Sequence, residues 1–356
     1  MKTIIIFSTL LIILNPFCKA QIIQDYPFKT YLDSENNLYV TGYQQQGNTK
    51  DVYTAKYPPI PNSNPIWFNT HFNPFGDDRG LDLAVDQKGN TYVTGYFNNS
   101  STDSNDIIVI KYDTGGVYKW DRIYSNSGDD RGMGIDITIN EDGLASEVYI
   151  SGYVTSPNTG KDFIIKKYNP SNGDSHWQHI YNNNSGDDAA TEILLDDRFA
   201  YIAGYTYQNG YPHSDIMLLV YDMDEDSLVN TVVFNKPGSN EKPSEFIFTY
   251  YSTDRRQKSR CAVASVTDEI VFNNPTTKYL TLYFAPDLQQ NMKVKWSKTL
   301  TNGPLSRTNV ATSIAADALG DVYVSGYMFN YDNATQSNGL DFATVKYNRF
   351  DGSFGW

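Results

Sequence analysis

Cysteine is nearly absent from this chain. Of its two, Cys18 lies in the first twenty residues, so once that stretch is removed Cys261 stands alone and no intramolecular disulfide can form. Histidine is also scarce, with four in 356 residues. His176 and His179 are three apart in a stretch patterned as a strand, where such positions face opposite sides, and His71 and His213 are isolated. There is no Gly-x-Ser-x-Gly elbow, no phosphate-binding glycine loop and no His-Glu-x-x-His. Basic residues fall well short of acidic ones, 28 against 41, which argues against a nucleic-acid partner, because phosphate binding relies on clustered Lys and Arg. Beyond residue 20 no stretch approaches the roughly 20 apolar residues of a transmembrane helix.

What is present begins with a leader. Lys2 precedes an apolar run from Ile4 to Leu14 and then Cys18-Lys19-Ala20, the pattern of a secretory signal peptide covering residues 1–20 and cleaved after Ala20. Phe17 and Lys19 flank Cys18 with the wrong residues for lipid attachment. Cleavage removes Lys2 and Lys19, so 26 basic residues face 41 acidic ones and the mature net charge is −15. The expected location is secreted or on the outer cell surface. Stability must come from packing, for which 28 Tyr, 18 Phe and 5 Trp supply the large apolar surface.

A repeat organises the rest. Leu38-Tyr39-Val40-Thr41-Gly42-Tyr43 recurs at Thr91–Tyr96, Val148–Tyr153, Ala200–Tyr205 and Val322–Tyr327, with Cys261–Ser265 as a degenerate copy between the last two. Around each lie the same pieces. In the second copy these are a strand at Leu81–Asp86, the turn Gln87–Asn90, the motif strand, a polar stretch, a strand at Asp106–Tyr112, the turn Asp113–Gly116 and a strand from Trp120 to Tyr124. Four short antiparallel strands in about 50 residues, with no helical periodicity, describe a propeller blade.

The pattern Asp-x-x-Gly-Asn, Tyr-Val-Thr-Gly-Tyr, Asp-(apolar)₄-Lys-Tyr and Trp resembles the bacterial seven-bladed β-propeller repeat family, often found in surface and secreted proteins. The resemblance covers nearly all of residues 28–356 and implies an all-β propeller. Six blades are counted, near 28–80, 81–132, 133–190, 191–244, 245–309 and 310–356, each four-stranded except an incomplete last one. The fourth strand of blade six would begin at Trp356 and the leader occupies the place of a closing strand, so the chain reads as a fragment or as one completed downstream.

Most repeated residues have structural duties. The motif glycines allow a bulge or a close approach, and Tyr39, Tyr92, Tyr149, Tyr201 and Tyr323 fill the space between blades. Trp67, Trp120, Trp177, Trp296 and Trp356 on fourth strands read as core. Asp51, Asp106, Asp162, Asp215 and Asp341 open third strands and are expected to accept loop N–H groups. Lys56, Lys111, Lys167 and Lys346 are expected on solvent or paired across the sheet. Asp222–Asp226 begins like a calcium loop, but Ser227 and Val233 break that pattern and an acidic hairpin turn is the simpler reading.

The candidate ligand-binding residues are three acid pairs, Asp77 and Asp78, Asp129 and Asp130, and Asp187 and Asp188, each after a glycine in the connection between blades. Propeller geometry places these connections at the channel mouth with the loops between second and third strands. Turn chemistry is the bland explanation. The chemical one is a cation or hydroxyl-rich ligand held by carboxylate oxygens, calcium being the possible cofactor and Asp129 and Asp130 its foremost ligands. Blades four and five lack the acid pair in that connection, having Ser239-Asn240-Glu241 and Ser306-Arg307-Thr308 instead. Variable loops rich in Asn, Ser, Thr and Tyr on a rigid frame suit recognition of carbohydrate or extracellular protein by a non-enzymatic, monomeric adhesion or scaffolding module. The competing expectation is a polysaccharide hydrolase or lyase using acidic residues at the mouth.

Overall fold

The computed structural model describes residues 25–356 apart from 48, 61–62, 74–75, 99–103, 184–185, 208–212, 251–256, 272–273, 301–307 and 333–336. The leader expected at residues 1–20 lies outside the described residues. All regular structure described is strand, and no helix is long and apolar enough to cross a membrane. Two compact units divide the described chain, 25–182 and 183–356, each made of three successive antiparallel sheets.

In the first unit, blade one is β1 (Asp25–Leu32), β2 (Leu38–Gln46), β3 (Thr49–Tyr57) and β4 (Trp67–His71). Blade two is β5 (Arg79–Val85), β6 (Thr91–Asn98), β7 (Asn105–Tyr112) and β8 (Tyr118–Tyr124), and blade three is β9 (Arg131–Ile139), β10 (Ala145–Ser156), β11 (Gly160–Tyr168) and β12 (Ser175–Tyr181). In the second unit, blade four is β13 (Asp188–Leu195), β14 (Phe199–Tyr207), β15 (Ser214–Asp222) and β16 (Ser227–Phe234). Blade five is β17 (Ser239–Tyr250), β18 (Arg260–Val271), β19 (Asn274–Pro286) and β20 (Met292–Leu300), and blade six is β21 (Asn309–Ala316), β22 (Val322–Asp332) and β23 (Ser337–Tyr347). Strands pair in chain order within every sheet, and each first strand begins a few residues before the boundary the repeat suggested. The fold is thus all-β and built of propeller blades, five four-stranded and the last three-stranded.

The incomplete blade has a physical signature. Val52, Ile107, Phe163 and Ile216 on third strands are buried, whereas Phe342, at the same register on β23, is 65 % exposed. The last residues begin to cover that edge near Tyr347, through a bridge from Tyr347 to Phe354 and the Lys346 N–H donating to the Trp356 carbonyl at 3.0 Å.

The motif glycines face a bulge in the first strand of their own blade. A Cβ on Gly95 or Gly152 would run into the carbonyl oxygen of Arg79 or Arg131, where the pairing skips one residue. Between blades, Trp67, Trp120 and Trp296 pack as core, whereas Trp177 is only partly buried and Trp356, at the edge of the three-stranded blade, is exposed, against the reading of all five as core. Trp120 lies on Gly173 of blade three, whose φ of 75° suits glycine alone, and its indole N–H donates to the Pro170 carbonyl at 3.2 Å. Trp296 repeats this on Gly352 and the Arg349 carbonyl. Blade four has no tryptophan; Asn230 takes its register position and accepts the Met292 N–H of blade five. The degenerate copy fits the frame, Ser265 facing Pro243 as Gly95 faces Gly80.

A second link joins the inner strands. In blades two, four and five the residue just after the bulge is a carboxylate that reaches across to an N–H of the neighbouring blade. Asp82 accepts the Ile135 N–H at 2.8 Å, Glu192 the Phe246 N–H at 2.9 Å and Glu245 the Ile314 N–H at 2.7 Å. These three residues share one register position. Removing the acceptor leaves a buried donor unpaired, at a cost of about 1–3 kcal/mol. Glu245→Ala should therefore lower the urea-unfolding free energy of the protein by that amount, and an unchanged midpoint and slope would show that the Ile314 N–H finds another partner.

Candidate functional site

The Gly-Asp-Asp connections and the loops between second and third strands meet on one side of the first unit. The Asp78 N–H donates to the Lys50 carbonyl of blade one and the Asp130 N–H to the Asn105 carbonyl of blade two, so each connection is stitched to the preceding third strand. The two aspartates of each pair then part company.

The second aspartate turns inward. Asp78 is fully buried and accepts the Asn98 N–H at 2.7 Å and the Asn73 amide at 3.1 Å. Asp130, equally buried, accepts the Thr155 N–H at 2.7 Å and the Asn126 N–H at 2.6 Å. Burial pushes the Asp78 carboxyl up to about 7 and that of Asp130 to about 6, against the pull of those donors. In the second unit Asp188 is buried and accepts the Asn183 N–H at 2.6 Å. Glu241 holds the same register position in blade five, buried and bonded to the hydroxyls of Ser239 and Thr267. In blade six the position belongs to Asn309, which accepts the Phe329 N–H at 3.2 Å. That is one residue beyond the Ser306-Arg307-Thr308 alignment, of which Ser306 and Arg307 lie outside the described residues. In blades two to six a buried acceptor thus stands at the end of the second strand, and its duty is to fix the loop.

The first aspartate stays partly exposed and is taken by cations. Asp77 bonds the Lys50 ammonium, with Arg79 4.0 Å away. Asp129 accepts the Arg131 Nε at 2.9 Å, the Tyr153 hydroxyl at 2.7 Å and the Asn105 amide, with Lys161 at 3.8 Å. Burial works against ionisation of Asp129, but these donors overcome it and hold its carboxyl below the usual range. Asp187 sits in the second unit, where its carbonyl accepts the Tyr207 N–H at 3.1 Å. Among the described residues no group of three or more His, Cys, Asp or Glu side chains is arranged to hold a metal ion, and the carboxylates of Asp129 and Asp130 point to different partners.

What the sequence reading missed is the arginine after each of the first two pairs. Arg79 lies over the Tyr43 ring of the preceding blade with its guanidinium 5.0 Å from the centroid, and Arg131 over Tyr96 at 4.5 Å. In the second unit Lys242 covers Tyr205 in the same way at 4.5 Å. Tyr43, Arg79, Tyr96 and Arg131 form an alternating row, because Arg79 also lies 5.8 Å from Tyr96. The signal was available: a cation stands directly before the bulge in three blades, and a tyrosine ends the second strand of the blade before.

No family model matches the chain, and none of the curated proteins does. Solved structures give distant likenesses. A flat-faced-bat neuraminidase-like protein shares 12 % identity over 93 % of this chain and 90 % of its own, with a TM-score of 0.44. Sqt1 from Chaetomium thermophilum shares 9 % over 92 % and 69 %, with a TM-score of 0.49. The β-propeller domain of the Trilobed protease from Pyrococcus furiosus shares 8 % over 92 % and 94 %, with a TM-score of 0.37.

Proposed function

We propose that this protein is an exported, monomeric and non-catalytic propeller module of the bacterial surface-repeat type that binds carbohydrate or extracellular protein through its loop face. The observation that carries the reading is the hydrogen-bonded frame around Asp78 and Asp130, repeated in two blades. It immobilises the loop backbone with buried acceptors and leaves the neighbouring side chains free to differ. Rigid backbone with variable polar and aromatic display is how scaffolds recognise partners at low entropic cost.

A glycan array run beside a dye-release assay on polysaccharides tests this. Saturable binding without turnover is the expected result. Turnover that disappears in Asp129→Asn would replace the module by a hydrolase or lyase, since the donors around that carboxylate hold it ionised.

A further inference from the structure

We infer that the rim of blades one to three receives a carboxylate-bearing sugar chain, with a uronate carboxylate seated on the Arg79 guanidinium. The inference rests on the carbohydrate half of the proposed function and narrows it. Arg79 carries five N–H donors, yet among the described residues it makes no hydrogen bond. Its Nε is buried without an acceptor, and its nearest carboxylate, Asp77 at 4.0 Å, already bonds Lys50. The guanidinium is held by the rings of Tyr43, Tyr96 and Phe28 with about a third of its side chain open to solvent. A preorganised, unbonded fork of this kind matches a carboxylate in two parallel hydrogen bonds.

Charge supports the same ligand. Lys50, Arg79, Arg131 and Lys161 gather here against the part-exposed Asp77 and Asp129, a local excess of cations in a chain of net charge −13. The surroundings favour sugar over acidic peptide. Phe28 and Tyr26, 46 % and 44 % exposed, offer flat apolar faces beside Arg79, and Tyr26 is braced by stacking on Tyr43 at 4.8 Å. Asp77 and Asp129 are acceptors for hydroxyl groups, which a uronate has and a polyglutamate lacks. A sugar ring on the aromatics, its hydroxyls on the aspartates and its carboxylate on Arg79 uses all three features.

The test measures binding of the secreted protein to polygalacturonate, alginate, neutral dextran and polyglutamate by calorimetry. Polygalacturonate or alginate should bind more tightly than dextran or polyglutamate. Arg79→Gln should weaken that binding at least tenfold and Arg79→Lys by less, with unaltered thermal midpoints. Arg198→Gln, at a hairpin turn where Arg198 pairs with Asp222, should change nothing. Uronate binding indifferent to Arg79→Gln overturns the inference, as does polyglutamate binding of equal strength. Equal binding of dextran removes the uronate assignment while leaving the carbohydrate module standing, and no binding of any polymer removes both.

Discussion

Trp120→Ala should cost the protein about 3–5 kcal/mol of unfolding free energy, the range for deleting a buried aromatic side chain whose site cannot collapse. The site cannot collapse because both walls are fixed. On one side stands Tyr92, its ring centroid 6.3 Å away, and on the other the backbone of Gly173, held in a turn by the Gly173 N–H donating to the Asn169 carbonyl. The truncation also frees the Pro170 carbonyl from the indole N–H, although the Lys111 ammonium still reaches it at 2.6 Å. Trp120→Phe, which keeps most of the ring and loses only that bond, should cost a minor part of the total. Trp356→Ala, at a ring 66 % exposed against Tyr323, should be nearly silent. Urea denaturation of the three variants checks the order, and a Trp356 effect as large as that of Trp120 would mean that the ring is packed as its repeat position implies and not exposed.

That contrast shows what could be read from the residues. Period and strand pattern carried the blades, their order, the incomplete last sheet and the core role of Trp67, Trp120 and Trp296, because those follow from which side chains recur at which spacing; the exposure of Trp356 does not. The direction a loop side chain takes does not follow from spacing. Asp77 and Asp78 are adjacent and identical in the sequence, yet one is 39 % exposed in an ion pair and the other fully buried on backbone donors. Their difference arises from the end of the second strand, where the Asn98 N–H needs an acceptor on one side only. Likewise Asp82, Glu192 and Glu245 stand within strands, and only the bulge beside them explains why a carboxylate is wanted there. Of the recurrent lysines, expected on solvent or paired across the sheet, two are seen paired with aspartates. Lys56 pairs with Asp33 over the Tyr39 ring, and Lys346 bonds Asp321 at 3.0 Å. Third-strand aspartates behaved as hydrogen-bond acceptors, Asp51 taking the Asn73 N–H at 3.0 Å and Asp162 the Asn182 amide. Asp341 is exposed, because no fourth-strand loop lies beside it in blade six.

The buried acceptors make stability fall as pH rises through the weakly acidic range. Asp78 titrates near 7 and Asp130 near 6 in the folded protein, whereas an unfolded aspartate titrates near 4. Between those values the unfolded chain has already lost protons that the native state retains. The contribution of each group is therefore complete below pH 4 and is lost as pH climbs to the folded value. Carboxylates held low, such as Asp129 and Asp222, act oppositely and lose their contribution only as pH falls below about 4. The thermal midpoint should peak near pH 4–5 and decline towards pH 8. Asp78 should carry at most about 4 kcal/mol of that decline, each pH unit of displacement being worth about 1.4 kcal/mol. Asp78→Asn isolates it. The amide oxygen can keep the Asn98 and Asn73 donors, both of which go to Oδ1, while the position of Oδ2, which has no partner, no longer bears charge. The variant should match the parent near pH 4 and exceed it at pH 8, flattening the profile. A parallel displacement of the whole curve would instead show that the substitution breaks the loop and that the Asp78 carboxyl is not the titrating group.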